Sequence, residues 1–296
     1  MKKIAIFTDP HGLLEPVEAV LEDMRSRGIT EIYSLGDNIG VGPNPREVLS
    51  LIQNSGVISV AGNSEEYIRL GIAPFKVYFS AAKTKSQMWT ASQLTNEQKE
   101  WIKSLPCYLE LVLKDKKIAL CHFANDVRFD YLENGTYAYQ NKVAMGSGYQ
   151  QFYVTNSFDQ IKMLKYMVQK YGNYPEMMGM ISALSSPLFG GKSVSSYDAV
   201  FQGHVHFKIM EENEFQQFYS IRAVGMAYQD NPSDNMASYI ILTENENGYE
   251  LEEVLVPFDR EKMIYSIIHS SIPDRTIERF VVMNNDDFAR SRRKKS

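Results

Sequence analysis

Cysteine is nearly absent: Cys107 and Cys121 are the only two in 296 residues. That is too few for a disulfide framework and points to a reducing, cytoplasmic setting. Long apolar runs are also missing. No stretch approaches the roughly 20 residues needed to span a bilayer, so membrane insertion is excluded. The amino terminus has two lysines before an apolar segment, but that segment is short and runs into Thr8 and Asp9 with no small-residue cleavage site. It is expected to be a first strand and not a signal peptide. Nor is there a surplus of positive charge. Lys and Arg number 31 against 36 Asp and Glu, a net charge of -5. Binding a nucleic-acid backbone needs a basic face, so no specific nucleic-acid partner is expected, and a protein of this charge that acts on phosphates must attract them locally. No internal repeat is present. What remains is an ordinary globular composition, 44% hydrophobic and 23% charged, in a chain long enough for one large domain or a main domain carrying an insertion.

The first part of the chain alternates strand and helix. Lys3 to Phe7 is a buried strand closed by Thr8-Asp-Pro-His-Gly12. A helix follows, with Pro16 suited to a first turn, Val17, Val20, Leu21 and Met24 at helical spacing, and Gly28 as a stop signal. Residues 31–36 form a second strand ending on Asp37, 48–54 a second helix, and 57–61 a third strand ending at Gly62-Asn63. Successive strand–helix units imply a parallel sheet with right-handed crossovers, and in such sheets ligands gather at the carboxyl ends of the strands. Residues 64–105 are expected to be mainly helical, with a capping box from Thr95 to Gln98. Strands over 108–112 and 117–121 predict a hairpin that delivers His122.

The region 123–196 is tyrosine-rich, with one helix over about 159–171 and a Ser/Gly-rich loop over 185–196, and is expected to form a cap beside the site. From residue 197 the chain returns to strands, at 198–202, 207–210, 215–223 and 237–243, the last turning at 245–248 into 250–256. That run predicts an antiparallel sheet of hairpins. Helices over 261–270 and after Pro273 close the fold. The expected organisation is one domain over 1–289, followed by a basic, disordered tail over 290–296.

Histidine is scarce, five in all, and four of the five stand at the starts of loops: His11, His122, His204 and His206. Asp9, Asp37 and Asn63 share that placement. Together they offer seven N and O donors at strand ends, in an order that one sheet edge can gather. Seven is the number wanted by two metals sharing one ligand; imidazole with carboxylate suits Mn, Fe, Zn or Co, and a shared carboxylate holds two ions about 3.5–4 Å apart. His269 fits none of this and is expected on a helix surface.

The series Asp9-Pro-His11, Gly36-Asp37, Gly62-Asn63, His122 and Gly203-His-Val-His206 resembles the calcineurin-like metallophosphoesterase superfamily. The loop Gly40-Val-Gly-Pro-Asn-Pro45 resembles its bacterial phosphodiesterase branch, and the group brought closest is the bacterial diadenosine tetraphosphate hydrolases and phosphatases. The resemblance implies a four-layer αββα sandwich of two mixed sheets with a binuclear metal site at the strand carboxyl ends. It implies Asp9, His11 and His206 on one metal, Asn63, His122 and His204 on the other, and Asp37 as the bridge. Mn and Fe are the favoured ions, with Zn, Co and Ni as alternatives, and Asp37, Asn63 and His204 are the implied catalytic residues. Water activated by both ions would attack phosphorus in line, with no covalent enzyme intermediate. Asp9 and Asp37 bring less negative charge than two such ions bring positive, so an acidic protein could hold a polyphosphate there.

One position departs from the family. Many members carry a histidine directly after the Gly-Asn, where it can protonate the leaving oxygen; here the residue is Ser64. A hydroxyl is a poor general acid near neutral pH, which favours substrates whose leaving group is already good, such as phosphoanhydrides and aryl esters. Glu65 and Glu66 are read as the start of a helix, and Lys83 and Lys85 as solvated helix charges. Asn63, Ser64, Asn125 and Arg128 are the expected substrate contacts, with cap tyrosines stacking an adenine. The expected function is hydrolysis of a small nucleotide or phosphoester, with diadenosine tetraphosphate cut to ATP and AMP and general phosphatase activity beside it. The rivals are a protein Ser/Thr phosphatase, another phosphodiesterase, and a scaffold on the same fold that has no catalysis. A homo-oligomer is compatible with the sequence.

Overall fold

The computed structural model describes residues 2–69, 71–72, 81–106, 108–122, 127–131, 137–141, 197–204, 206, 208–212, 217–225 and 235–273. In β1 (Lys3–Phe7) the run Ile4-Ala-Ile-Phe7 is apolar on both faces, the composition of a strand covered on both sides, and all four residues are buried. The chain continues through α1 (Leu14–Ser26), β2 (Glu31–Ser34), α2 (Pro45–Asn54) and β3 (Ile58–Ser59), with both new strands parallel in the order β1-β2-β3. Then come α3 (Asn63–Arg69), α4 (Ala81–Gln93) and α5 (Asn96–Ser104). The capping box at α5 is formed in both directions, Gln98 N–H donating to Thr95 Oγ1 and Thr95 N–H to Gln98 Oε1, each at 3.1 Å.

The hairpin β4 (Tyr108–Leu113) and β5 (Lys116–Cys121) follows as expected, then a separate hairpin, β6 (Val127–Tyr131) with β7 (Tyr137–Asn141). The remaining elements are β8 (Ala199–Gln202), β9 (Ile209–Glu212), β10 (Gln217–Ser220), β11 (Met236–Asn245), β12 (Gly248–Pro257) and α6 (Arg260–His269). Two five-stranded mixed sheets result, in the orders β12-β11-β1-β2-β3 and β4-β5-β8-β10-β9.

The late strands do not make one antiparallel sheet. β10 runs parallel to β8 and antiparallel to β9 in the second sheet, whereas β11 crosses to the first sheet, pairs antiparallel with β1 and carries β12 on its far side. The composition of β11 gives the reason. Ala237, Tyr239 and Ile241 join Ala5, Phe7, Val17, Val20, Met24 and Val48 in the core beneath α1 and α2. Ile240 and Leu242 join Ile4, Ile6, Ile118, Leu120 and Phe201 in the core between the sheets. A strand apolar on both faces needs cover on both, which a position beside β1 supplies and an edge hairpin does not.

Helices, first sheet and second sheet therefore stack in that order among the described residues. The helix expected over 159–171, the loop over 185–196, the helix after Pro273 and the tail over 290–296 lie outside the described residues. No described helix is long and apolar enough to cross a membrane. Cys121 is a free, buried thiol.

Ile118 is fully buried between the sheets and distant in sequence from every candidate ligand except those that follow β5. Ile118→Ala should lower the unfolding free energy by about 2–5 kcal/mol, measured by chemical denaturation.

Candidate metal centre

β1, β2 and β3 are parallel, so their carboxyl ends lie along one edge, and Asp9, His11, Asp37 and Asn63 follow those ends. β5 and β8 are parallel neighbours in the facing sheet and end on His122 and on His204 with His206. Backbone hydrogen bonds continue past the strands: Asp9 N–H donates to Gly36 O at 3.1 Å, His11 N–H to Asp37 O at 2.8 Å, and Gly203 N–H to His122 O at 3.0 Å.

The loops thereby hold an uncommon backbone. Asp9, His11, Asp37, His204 and His206 all have φ between 50° and 68°; among the other described non-glycine residues only Lys114 shares that region. Such left-handed residues cost about 1–3 kcal/mol each and persist where surrounding structure dictates them. The adjoining glycines are demanded by close approach. A β-carbon at Gly62 would overlap the backbone N and carboxylate of Asp37, and one at Gly203 would overlap Thr8 Oγ1.

Two triads of donors result, Asp9 with His11 and His206, and Asp37 with His122 and His204. In the first, His11 Nε2 is 2.9 Å from His206 Nε2, and Asp9 Oδ1 is 3.2 Å from His206 Nε2 and 3.6 Å from His11 Nε2. In the second, Asn63 Oδ1 is 3.2 Å from His122 Nε2 and 3.0 Å from His204 Nδ1, and the two ring nitrogens are 3.2 Å apart. Asp37 Oδ2, a member of the second triad, also faces the first, 3.8 Å from His11 Nε2 and 3.6 Å from His122 Nε2.

Backbone carbonyls orient two of the rings. His11 Nδ1 faces Ile39 O at 3.3 Å and His122 Nδ1 faces Leu35 O at 2.8 Å. In the neutral ring each Nδ1–H donates to that carbonyl, and the Nε2 lone pair is then aimed into the site. Burial, first of all, holds His11 below its ordinary value and His204 well below it, keeping both rings neutral. Burial would raise Asp9, but the charges of His206 and His122 outweigh it and hold the carboxyl well below the usual range. At His122 burial lowers the value, and the Asp37 and Asp9 carboxylates more than offset it. Asp9 Oδ1 is buried and faces the ring nitrogens of His206 and His11. Ring nitrogens and carboxylate oxygens that converge at such short range suit a cation. Two ligands about 2.1 Å from one ion and at right angles stand about 3.0 Å apart, and the close separations within each triad match that spacing. The residues fit a pair of metal ions.

Other expected site residues are distributed differently. Ser64 is buried; its N–H donates to Asp37 Oδ1 at 2.7 Å, and its side chain lies against Gly40. Asn125 lies outside the described residues. Arg128 sits in β6 opposite Gln140, with only its backbone described. His269 ends α6 and stacks on Tyr265, apart from the site.

Glu65 has a role that its sequence position does not announce. Its fully buried carboxylate accepts from the N–H groups of Asp37 at 2.9 Å, Asn38 at 2.9 Å and Gly62 at 2.7 Å, binding the Gly-Asp turn to the Gly-Asn turn. Burial and the Asp37 carboxylate push Glu65 up to about 7, against the pull of these donors. The only signal in the sequence is its place two residues after Asn63. Thr8, in sequence only a loop residue after β1, supports the first triad: its hydroxyl donates to Asp9 Oδ2 at 2.7 Å, and His204 N–H donates to the same oxygen at 2.8 Å.

Comparison with known proteins finds the calcineurin-like phosphoesterase superfamily domain over residues 1–152, more than half of the chain. An uncharacterised protein of Methanocaldococcus jannaschii is 38% identical over 119 residues, 40% of this chain and 48% of that protein, so the chain spans about half the length of this curated relative. Among solved structures, a hypothetical protein from Pyrococcus horikoshii superposes with a TM-score of 0.63 at 14% identity, covering 94% of this chain and 97% of that one. A metallophosphoesterase from Sphaerobacter thermophilus gives 0.54 at 19% identity, covering 92% and 95%. At such identities the structural likeness speaks for the fold.

Glu65→Ala would leave three buried N–H donors without an acceptor. Unsatisfied buried donors cost about 1–3 kcal/mol each, so the variant should lose at least about 3 kcal/mol in denaturant titration and bind metal more weakly.

Proposed function

Because the chain belongs to the calcineurin-like phosphoesterase superfamily, we propose that it is a metal-dependent hydrolase of phosphoanhydride and phosphoester bonds, with diadenosine tetraphosphate as its favoured substrate. The observation that carries this is Asp37, which groups with His122 and His204 and whose Oδ2 also faces His11 of the triad formed with Asp9 and His206. Asp9, His11 and His206 would hold one ion, Asn63, His122 and His204 the other, and Asp37 both. When bound, the ions supply Lewis acidity and a water of lowered pKa. Nitrogen and carboxylate donors without thiolate suit Mn or Fe.

The chain's own part is positioning and charge. The left-handed loops and the Glu65 tie fix the donors before substrate arrives, which is the preorganisation that lowers a barrier. Asp9 and Asp37 are the carboxylates of the donor set, so a loaded site stays electropositive and draws a polyphosphate to a protein of net charge -5. Asp37, Asn63 and His204 are the residues proposed to act on the reacting phosphate, and Asn125 and Arg128 are proposed to contact the phosphates that remain.

Leaving-group chemistry supports the substrate class. The residue after Asn63 is a serine turned against Gly40, so no imidazole from that position protonates the departing oxygen. A nucleotide phosphate departs as a stable anion without such help, whereas an alkoxide does not. ATP and AMP are the proposed products.

A Mn-supplemented panel of diadenosine tetraphosphate, ATP, an aryl diester, an alkyl diester and a phosphopeptide, resolved by chromatography, tests this reading. The dinucleotide should be cut fastest and the alkyl diester slowest; comparable rates on those two, or a preference for the phosphopeptide, would contradict it. His206→Ala should lower kcat by more than about 100-fold, with an unchanged circular dichroism spectrum.

A further inference from the structure

Asn63 is the amide in a donor set otherwise made of imidazole and carboxylate. An amide's two ends have nearly the same shape, and only the carbonyl end can serve a cation. Turned the other way, Asn63 would present its NH2 to His122 Nε2 and His204 Nδ1 and fill with protons the space an ion must take. A neighbour that accepts from the amide nitrogen biases it toward the productive orientation.

α3 begins at Asn63, and Tyr67 lies four residues later on the same helix face. Asn63 Nδ2 donates to the Tyr67 hydroxyl at 3.3 Å, which leaves Oδ1 at 3.2 Å from His122 Nε2 and 3.0 Å from His204 Nδ1. Tyr67 is itself only 3% exposed. From α4, the exposed Lys83 places its ammonium 5.4 Å from the centre of the Tyr67 ring and hydrogen-bonds the hydroxyl. Read from sequence as a solvated charge, Lys83 thus stands two hydrogen bonds from a candidate ligand.

We propose that Tyr67 is a positioning residue for the second metal site: its hydroxyl holds the Asn63 amide with the carbonyl oxygen toward His122 and His204, and Lys83 tethers that hydroxyl. The proposal rests on the metal-dependent reading above. Groups that orient a ligand in this way typically change metal affinity about 10- to 100-fold when removed.

The test is a Mn2+ titration of the metal-free full-length protein, followed by electron paramagnetic resonance, which separates free, single and spin-coupled Mn2+. The wild type should bind in two steps and end in a coupled pair. Tyr67→Phe keeps the ring and should weaken the second step about 10- to 100-fold with the first unchanged, a split that general loss of structure would not produce. Lys83→Met, at an exposed position where folding is not at stake, should weaken the second step less, and Lys83→Arg should restore it. Wild-type binding in both steps by Tyr67→Phe, or equal weakening of both, overturns the proposal, and an unaltered second step in Lys83→Met overturns the tether. A wild-type chain that binds no Mn2+ overturns the metal-dependent reading itself and the positioning role of Tyr67 with it.

Discussion

Left-handed backbone at Asp9, His11, Asp37, His204 and His206 is the constraint on which the rest of the site depends. At about 1–3 kcal/mol each, these residues together draw on an amount comparable with the whole net stability of a domain, about 5–15 kcal/mol. Such a conformation lets a strand end turn sharply and throw consecutive or alternate side chains to the same place. It survives because the loops are bound to one another by the hydrogen bonds of Asp9 and His11 to the 36–37 turn, of His204 to Asp9, and of Glu65 to the turns at 37 and 62. The glycines beside the ligands leave room for that approach and nothing more.

The sandwich serves this arrangement. Parallel neighbours β1, β2 and β3 in one sheet and β5 and β8 in the other end at the same edge, and the apolar core between the sheets, from Ile4 and Ile6 to Leu120 and Phe201, sets their distance. Each sheet brings part of both triads. Asp9 and His11 from the first meet His206 from the second, and Asp37 and Asn63 meet His122 and His204. Neither sheet alone holds a complete set.

Much of this was legible in the sequence because it follows from periodicity and punctuation. Apolar runs ending in Asp-Pro-His, Gly-Asp, Gly-Asn and Gly-His-Val-His announce strands that deliver donors, and Thr95 with Gln98 announces a helix start. The sheet to which a strand belongs was not legible. β9 to β12 read as a run of hairpins, and only the two-faced apolar pattern of β11 sends it to the side of β1. Glu65 and Tyr67 were hidden for a different reason. Their roles consist of hydrogen bonds to groups that only the assembled loops place beside them, and helix-start composition explains both residues equally well. Ser64 showed its type but not its burial against Gly40.

The central claim is that Asp37 is shared by two groups of metal-holding donors. Anomalous scattering from crystals grown with Mn2+ measures this directly. The account predicts two peaks about 3.5–4 Å apart, one among Asp9, His11 and His206 and one among Asn63, His122 and His204, with Asp37 Oδ2 touching both. A single peak, or two peaks of which either lies away from Asp37, would contradict it.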